Sequence, residues 1–307
     1  MADLTVFVTG ATGSIGSEAV RLLAASNLVG QVRAGTRSPA ASVAEHFAGI
    51  SDKIVPCQIE PGDPSAEAAQ QLQAALEGCG ALIVVAPLIE GMQQWHQRLA
   101  RAAAAAGIPF VVKVSVTGAR SPESEPPPGV MPLMHWQGEQ ALRDEGLDVV
   151  AIRPTIFMQH FLTVPALYQS GEDRFYLPSG EGKIAFLDNR DIARLAVELV
   201  LLPADQQAPF IGQGFELTGP QALTGDQIAE VLSDAVGRQI VRVDGEEAFS
   251  EHAATLGMPD MVKSVYVEAS QGWFGTVTYD IFEEVTGDPT RPYADFFSDN
   301  REFFTEH

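Results

Sequence analysis

The chain has 307 residues, 46% hydrophobic and 19% charged, a composition typical of a folded globular protein and not of a disordered one. Its formal net charge of −21 argues against binding to nucleic acid or an anionic membrane, because both would repel it. No apolar stretch is long enough for a membrane span, no signal peptide is predicted, and the two cysteines lack metal-type spacing. We therefore expect a cytoplasmic protein without a metal site.

Short apolar runs alternate with helical patterns over residues 1–155, which is typical of βαβ units in a doubly wound parallel α/β sheet. The predicted strands are Leu4–Val8, Gln31–Thr36, Lys53–Ile59, Ala81–Ala86, Phe110–Ser115 and Val149–Arg153. The helices predicted between them include Ser14–Ala25, Met92–Ala106 and Leu133–Glu145. The pattern predicts a Rossmann fold for this half of the chain.

The alternation loosens after Arg153, where a strand at Lys183–Leu187 and helices at Arg190–Leu202 and Thr224–Val236 are predicted. The rest is mostly helical, with aromatic side chains as anchors. We expect two domains: a nucleotide-binding Rossmann domain over residues 1–155, and a smaller, mainly helical C-terminal lobe over residues 156–307 that covers the substrate. Lys183–Leu202 is expected to pack back on the Rossmann sheet.

The clearest motif is a glycine-rich turn between the first strand and the first helix. Gly10 permits a tight turn, Gly13 lets the backbone approach a pyrophosphate, and Gly16 lets the helix pack close to the strand. The helix N-terminus offers N–H groups and the positive end of its dipole to phosphates. The motif predicts a dinucleotide site, with a turn that binds no ligand as the alternative. The residues between the glycines complete the predicted site: Thr12, Ser14 and Ile15.

The end of the second strand favours NADP(H) as the cofactor. NAD sites place an acidic residue there, but this chain has none between Glu18 and Glu45. Arg37 follows the strand instead and suits a 2′-phosphate, with a solvated surface arginine as the alternative. Asp63 is expected to accept from the adenine amine, or to be an ordinary turn aspartate. Pro87, after the fourth strand, is expected to line the cofactor groove.

A series of segments in a fixed order, covering nearly the whole chain, resembles the NmrA-like group of atypical short-chain dehydrogenase/reductases. The segments are Thr9–Gly16, Arg37, Val112–Ser115, His135–Glu139, Arg153-Pro154, Phe157-Met158, Asp188–Asp191 and Leu217–Pro220. The resemblance implies a Rossmann domain with a small C-terminal lobe. That group contains NADPH-dependent quinone, azo-dye and triphenylmethane reductases, and also regulators that bind NADP without turning it over.

The proton donor of ordinary short-chain dehydrogenases is missing, because none of the five tyrosines has a lysine four residues later. His135 and Glu139 are four residues apart and share one face of a predicted helix, a spacing that resembles the reductase branch of the group. We expect His135 to donate a proton, with Glu139 orienting it and raising its pKa. A packing histidine beside a surface glutamate is the alternative.

Lys113 and Ser115 end the fifth strand, at the carboxyl edge where doubly wound sheets bind ligands. A lysine in this apolar run is unusual, because a buried ammonium is costly without a partner. The resemblance places Lys113 beside the nicotinamide end of the cofactor, and a lysine that reaches out to solvent is the alternative. Ser115 is expected to bond a substrate carbonyl or the ribose.

The resemblance places the substrate pocket after the last strand of the Rossmann half. The candidate lining residues are Phe157, Met158, Phe161 and Tyr176. An apolar, aromatic lining suits a flat conjugated substrate, and ordinary core packing is the alternative for each residue. The sequence thus predicts an NADPH-dependent reductase of a quinone, imine or enone. A non-catalytic NADP(H) sensor and an isomerase or cyclase with a structural cofactor are the alternatives, and a homodimer is left open.

Overall fold

The computed structural model describes residues 4–87, 91–126, 129–269 and 274–305, and the chain within these ranges divides into two compact units. The first unit runs to Pro154 and also includes Ile192–Glu216. The second unit comprises Thr155–Asp191 and the chain from Leu217 onward. The segment Lys183–Leu202 is therefore shared between the two units, with the division after Asp191.

The described strands, in chain order, are β1 (Leu4–Thr9), β2 (Val29–Thr36), β3 (Ile54–Gln58), β4 (Ala81–Val85), β5 (Val111–Val114), β6 (Val149–Pro154), β7 (Arg174–Tyr176), β8 (Lys183–Ile184), β9 (Gly214–Leu217), β10 (Leu223–Thr224) and β11 (Val241–Val243). The described α-helices are α1 (Ser14–Ala25), α2 (Ala40–His46), α3 (Ala66–Leu76), α4 (Met92–Ala105), α5 (Val130–Asp144), α6 (His160–Thr163), α7 (Asn189–Leu201), α8 (Ala204–Gln207), α9 (Gly225–Val236), α10 (Glu246–Thr255), α11 (Asp260–Ala269), α12 (Asp280–Thr286), α13 (Tyr293–Asp299) and α14 (Arg301–Thr305). None of these helices, in the part of the chain that the structure describes, is long and apolar enough to cross a membrane.

The first unit is built on a seven-stranded sheet with the order β3-β2-β1-β4-β5-β6-β9. The pairs from β3 to β6 are parallel, with Val8 aligned with Ala34 of β2 and with Ile83 of β4. The order reverses between β1 and β4, which is the switch point where Rossmann sheets bind ligands beyond the carboxyl ends of the strands. The predicted Rossmann fold class is confirmed, and β9 is a seventh strand that the sequence did not reveal.

The strands form because their apolar runs fit a sheet that is covered on both faces. Val6, Phe7 and Val8 of β1 have no exposed surface, and neither do Leu82 and Ile83 of β4. A parallel sheet with helices on both sides buries every side chain of its central strands, so near-continuous runs of apolar residues are expected there.

The second unit is mainly helical and is organised around an aromatic core. Phe161 contacts the rings of Phe175, Phe186 and Phe297 at centroid distances of 5.4 to 5.5 Å. Two short pairs of strands accompany the helices: β7 with β11, and β8 with β10. The strand predicted at Lys183–Leu187 is reduced to the two residues of β8, because only these pair with β10.

Candidate functional site

The glycine turn after β1 has a backbone that only glycine fits. Gly10 lies in the left-handed region with φ of +60°, and a Cβ there would sit 2.8 Å from the Val85 carbonyl oxygen. A Cβ on Gly16 would lie 2.1 Å from the Gly10 carbonyl oxygen, so a side chain here would force α1 away from β1. The turn is also tied to β4, because the Thr9 hydroxyl donates to the Val85 carbonyl oxygen at 3.0 Å.

The N-terminus of α1 fits an anionic ligand. Its N-cap, Gly13, provides no side-chain hydrogen bond, and the first turn of the helix carries no acidic residue. A helix start without a carboxylate leaves the positive end of the dipole uncompensated by side chains. The turn and the helix start therefore have the features that a phosphate group requires.

Two arginines lie in or directly after β2, and they differ in their hydrogen-bond partners. Arg33 is held by its own unit, since Nη1 donates to the carbonyl oxygens of Ala75 and Glu77, each at 2.8 Å. Arg37 is exposed and makes no hydrogen bond or ion pair with any described residue. Arg37 is thus the guanidinium at this strand end that remains available to a ligand.

The structure places the other predicted nucleotide contacts as follows. The hydroxyl oxygens of Thr12 and Thr36 lie 3.5 Å apart, which links the glycine turn to the end of β2. Asp63 accepts from the Ser65 backbone N–H at 2.8 Å, which is the turn role left open by the sequence. Pro87 follows β4 and is partly exposed.

Lys113 on β5 is completely buried, so it does not reach out to solvent. Its Nζ donates to the Val114 carbonyl oxygen at 3.2 Å and lies 3.2 Å from Nδ1 of His135. Burial lowers the pKa of Lys113 to about 7, with Glu139 opposing this shift and nearby guanidinium groups adding to it. The structure therefore contains a buried amine that changes charge near neutral pH.

His135 pairs with this lysine and not with Glu139, which corrects the sequence prediction. Burial lowers the pKa of His135 well below its ordinary range, and the positive charge of Lys113 adds to the effect. The expected rise in its pKa is wrong. A protonated Lys113 can only donate to Nδ1, so in that state the neutral ring carries its proton on Nε2, which makes no hydrogen bond to any described residue.

Glu139 is the centre of a separate ion-pair network. It accepts from the Ser115 hydroxyl at 2.6 Å, from Arg143 at 3.2 Å, and from Arg153 through both oxygens at 3.0 and 2.7 Å. Burial would raise the pKa of Glu139, but the bonds from Arg153 and Ser115 outweigh it and hold the pKa below its ordinary value. The Ser115 hydroxyl is thus committed as a donor to Glu139, while its oxygen can still accept.

Lys113, His135 and Glu139 form a cluster of titratable side chains with three residues that were not predicted as site residues from the sequence: His96, Arg143 and Arg153. His96 on α4 is fully buried, with Nδ1 2.8 Å from the Met92 carbonyl oxygen and Nε2 without a partner in the described residues. Burial and, to a smaller extent, the charge of Lys113 lower its pKa to about 3. A signal existed for Arg153, because it is the only charge in the apolar run of β6, as Lys113 is in β5.

The predicted substrate residues all lie in the second unit, where they differ in exposure and in their contacts. Met158 and Phe161 are completely buried in its core, which is the packing role left open by the sequence. Phe157 is partly exposed, and Tyr176 stacks on His252 with ring centroids 3.9 Å apart. Tyr176 lines a cavity of about 190 Å³ whose lining includes none of the other three.

The strand order, the glycine turn and the uncapped helix behind it define a Rossmann-type α/β protein. The chain belongs to the NmrA-like family, whose family model matches residues 2–298. The resemblance drawn from the sequence is thereby confirmed.

Proteins with known activities are similar over nearly the whole chain. An NAD(P)H azoreductase of Xenophilus azovorans is 34% identical, with 95% of this chain and 96% of that protein covered. A structure of the NADPH-dependent quinone oxidoreductase 2 of Escherichia coli, complexed with NADPH, has 25% identity and a TM-score of 0.78, covering 96% of this chain and 99% of that one. A structure of NmrA, a negative transcriptional regulator, in complex with NADP has 18% identity and a TM-score of 0.77, covering 99% of this chain and 96% of that one. At this identity the similarity shows only that the two chains share a fold.

Proposed function

We propose that this protein is an NADPH-dependent reductase that transfers hydride to a flat conjugated small molecule such as a quinone, imine or enone. The observation that carries the proposal is the contact between the buried Lys113 and the partly exposed His135, in the same Rossmann unit as the glycine turn. The similar azoreductase and quinone oxidoreductase support a reductase. The free cysteines Cys57 and Cys79 fit the reducing environment of the cytoplasm.

The residues present fit an NADP(H) molecule. The backbone of Gly13 and the first turn of α1 would hold the pyrophosphate, because no acidic side chain or side-chain cap competes there. Arg37 would bind the 2′-phosphate, since it has no other partner among the described residues. When bound, NADPH supplies the hydride.

The chain itself supplies the proton that must accompany the hydride. The Nζ ammonium of Lys113 donates to Nδ1 of His135, whose Nε2–H is then the proton given to the reduced substrate. As Nε2 loses its proton, Nδ1 takes one from Lys113, so the ring stays neutral, as its lowered pKa requires. After the product leaves, Nε2 of the partly exposed His135 takes a proton from solvent, and Nδ1 returns its proton to Lys113. One hydride and one proton thus reach the substrate.

The test is oxidation of NADPH, followed by nicotinamide absorbance, against a panel of quinones, azo dyes, imines and enones. We expect turnover with at least one class, and a loss of about 10²–10⁴-fold in kcat for Lys113→Met on a substrate that needs a proton. Lys53→Met is the matched control, because Lys53 is a partly buried lysine of the same unit that donates to the Ser26 carbonyl oxygen at 2.6 Å.

Two other outcomes would contradict the proposal. Tight binding of NADP⁺ and NADPH without turnover of any compound would instead support the NADP(H) sensor. Turnover without consumption of NADPH would support an isomerase or cyclase. Equal activity of the Lys113→Met variant and the wild type would remove the lysine from the reaction.

A further inference from the structure

Arg153 lies on the same side of the sheet as Lys113. Lys113 is aligned with Ala151 on the neighbouring parallel strand, and Arg153 follows two residues later. Side chains two residues apart in a strand point to the same face, so Ser115, two residues after Lys113, also belongs to this face. Helix α5 provides Glu139 to the same cluster, through its bond from the Ser115 hydroxyl.

The Arg153 guanidinium binds the Glu139 carboxylate in a bidentate geometry. Nε donates to one carboxylate oxygen at 3.0 Å and Nη2 to the other at 2.7 Å, while Ser115 and Arg143 donate one further bond each. Glu139 has no exposed surface, and the side chain of Arg153 is 19% exposed. Such a bidentate pair fixes the carboxylate in one orientation.

The amine of Lys113 has no carboxylate as a hydrogen-bond partner, although one lies close by. Its partners are a backbone carbonyl oxygen and a neutral histidine. The titratable and charged groups that face it are His96 from α4, His135, Glu139 and Arg143 from α5, and Arg153 from β6. Glu216 from β9 acts on Arg153 and Glu139. With both histidines neutral, the charged groups that act on the amine itself are two guanidinium groups and one carboxylate.

We propose that Arg153 is a positioning residue for Lys113: by holding both oxygens of Glu139, it keeps that carboxylate from pairing with the lysine amine. The amine therefore stays without a hydrogen-bonded carboxylate and can give up its proton more easily. If Arg153 were absent, the nearest carboxylate would be free to pair with Lys113 and hold its proton. The consequence for catalysis depends on the proposed function, whereas the state of the amine does not.

The amine can be observed directly, because the chain has only four lysines. Protein labelled with ¹³C at the lysine ε position gives four resonances, and Lys113→Met assigns the one of interest. In the wild type without nucleotide, we expect the Lys113 resonance to titrate at about pH 7. In Arg153→Met, we expect its midpoint to rise by about 1–3 pH units.

A double-mutant cycle separates action through Glu139 from simple repulsion between Arg153 and Lys113. We expect Arg153→Met to move the midpoint much less in a Glu139→Gln background than in the wild type. Equal shifts in both backgrounds would mean that Arg153 acts by its charge alone, and no shift in the wild-type background would mean that it has no influence. Either result would overturn the proposal.

Two further variants keep the test decisive. Arg143→Met removes a single bond to Glu139, so its effect on the midpoint should be smaller than that of Arg153→Met. Arg153→Lys retains the charge but loses the bidentate hydrogen bonds to Glu139. We expect its Lys113 titration midpoint to lie between those of the wild type and Arg153→Met, and this variant can be measured even if Arg153→Met folds poorly.

In active protein, the pH profile of kcat should move with the titration midpoint of Lys113. If the NMR shifts occur and no substrate is found, the positioning role stands and only the proposed function fails.

Discussion

Replacing Lys113 with methionine should make the protein more stable at pH 6 while removing its activity. The pKa of Lys113 falls from 10.5 to about 7 on folding. At roughly 1.4 kcal/mol per pKa unit, holding a charged amine at this site costs about 5 kcal/mol. Methionine avoids that cost but loses two hydrogen bonds of about 1 kcal/mol each, so we expect a net gain of about 3 kcal/mol.

The pH dependence of this gain has a definite sign. Between pH 7 and 10.5 the unfolded chain binds more protons at Lys113 than the folded protein does, so the stability of the wild type rises with pH over this window. The advantage of Lys113→Met should therefore be complete below pH 7 and shrink as the pH rises. It should vanish at about pH 9, where the remaining cost of the charge equals the two lost hydrogen bonds, and the wild type should be the more stable protein above that pH.

Urea unfolding followed by circular dichroism at pH 6, 8 and 10 measures the difference between the two proteins. The Lys53→Met control should show no stabilisation at pH 6, because Lys53 is only partly buried. A lower urea midpoint for Lys113→Met at pH 6, or a gain that does not change with pH, would refute the reasoning. A gain in stability with loss of activity would identify a residue kept for function at a cost in stability.

Three further variants address the nucleotide turn and the proton path. Arg37→Ser should reduce the preference for NADPH over NADH by about 10- to 150-fold, because one charged hydrogen-bonded contact is worth about 1.5–3 kcal/mol, and calorimetry with both nucleotides measures the ratio. Gly16→Ala should abolish nucleotide binding, because its Cβ would lie 2.1 Å from the Gly10 carbonyl oxygen, and retained affinity in the same titration would contradict this. His135→Phe should lower kcat for a substrate that needs a proton, while leaving the affinity for NADPH unchanged. Unchanged kcat would show that Lys113 does not act through the imidazole.

The sequence predicted the central part of the fold because the physical signal there is local. The first six strands of the sheet are four to eight residues long and most are apolar runs, and each predicted range overlaps the observed strand. The last strand of the sheet is four residues, Gly214–Leu217, with a glycine and a glutamate, so its sequence carries no apolar run to detect. Its place in the sheet comes from pairing beside β6, which is a contact between distant parts of the chain.

The candidate site was only partly predictable for the same reason. The spacing of His135 and Glu139 correctly indicates one helix face, but it cannot say which partner each side chain takes. Arg153 on a neighbouring strand offers the carboxylate two charged bonds, which a histidine four residues away cannot match. His96 belongs to the cluster but comes from another helix, α4, and no motif around it in the sequence indicates that it lies near Lys113.

The most direct test of the account is isothermal titration calorimetry of the wild-type protein with NADPH and with NADH. We predict saturable binding of NADPH at one site, at least about tenfold tighter than NADH, because Arg37 and the first turn of α1 offer a cation and uncapped amides to phosphate groups. Absence of binding to both nucleotides would contradict the account as a whole. Tighter binding of NADH would contradict the role given to Arg37.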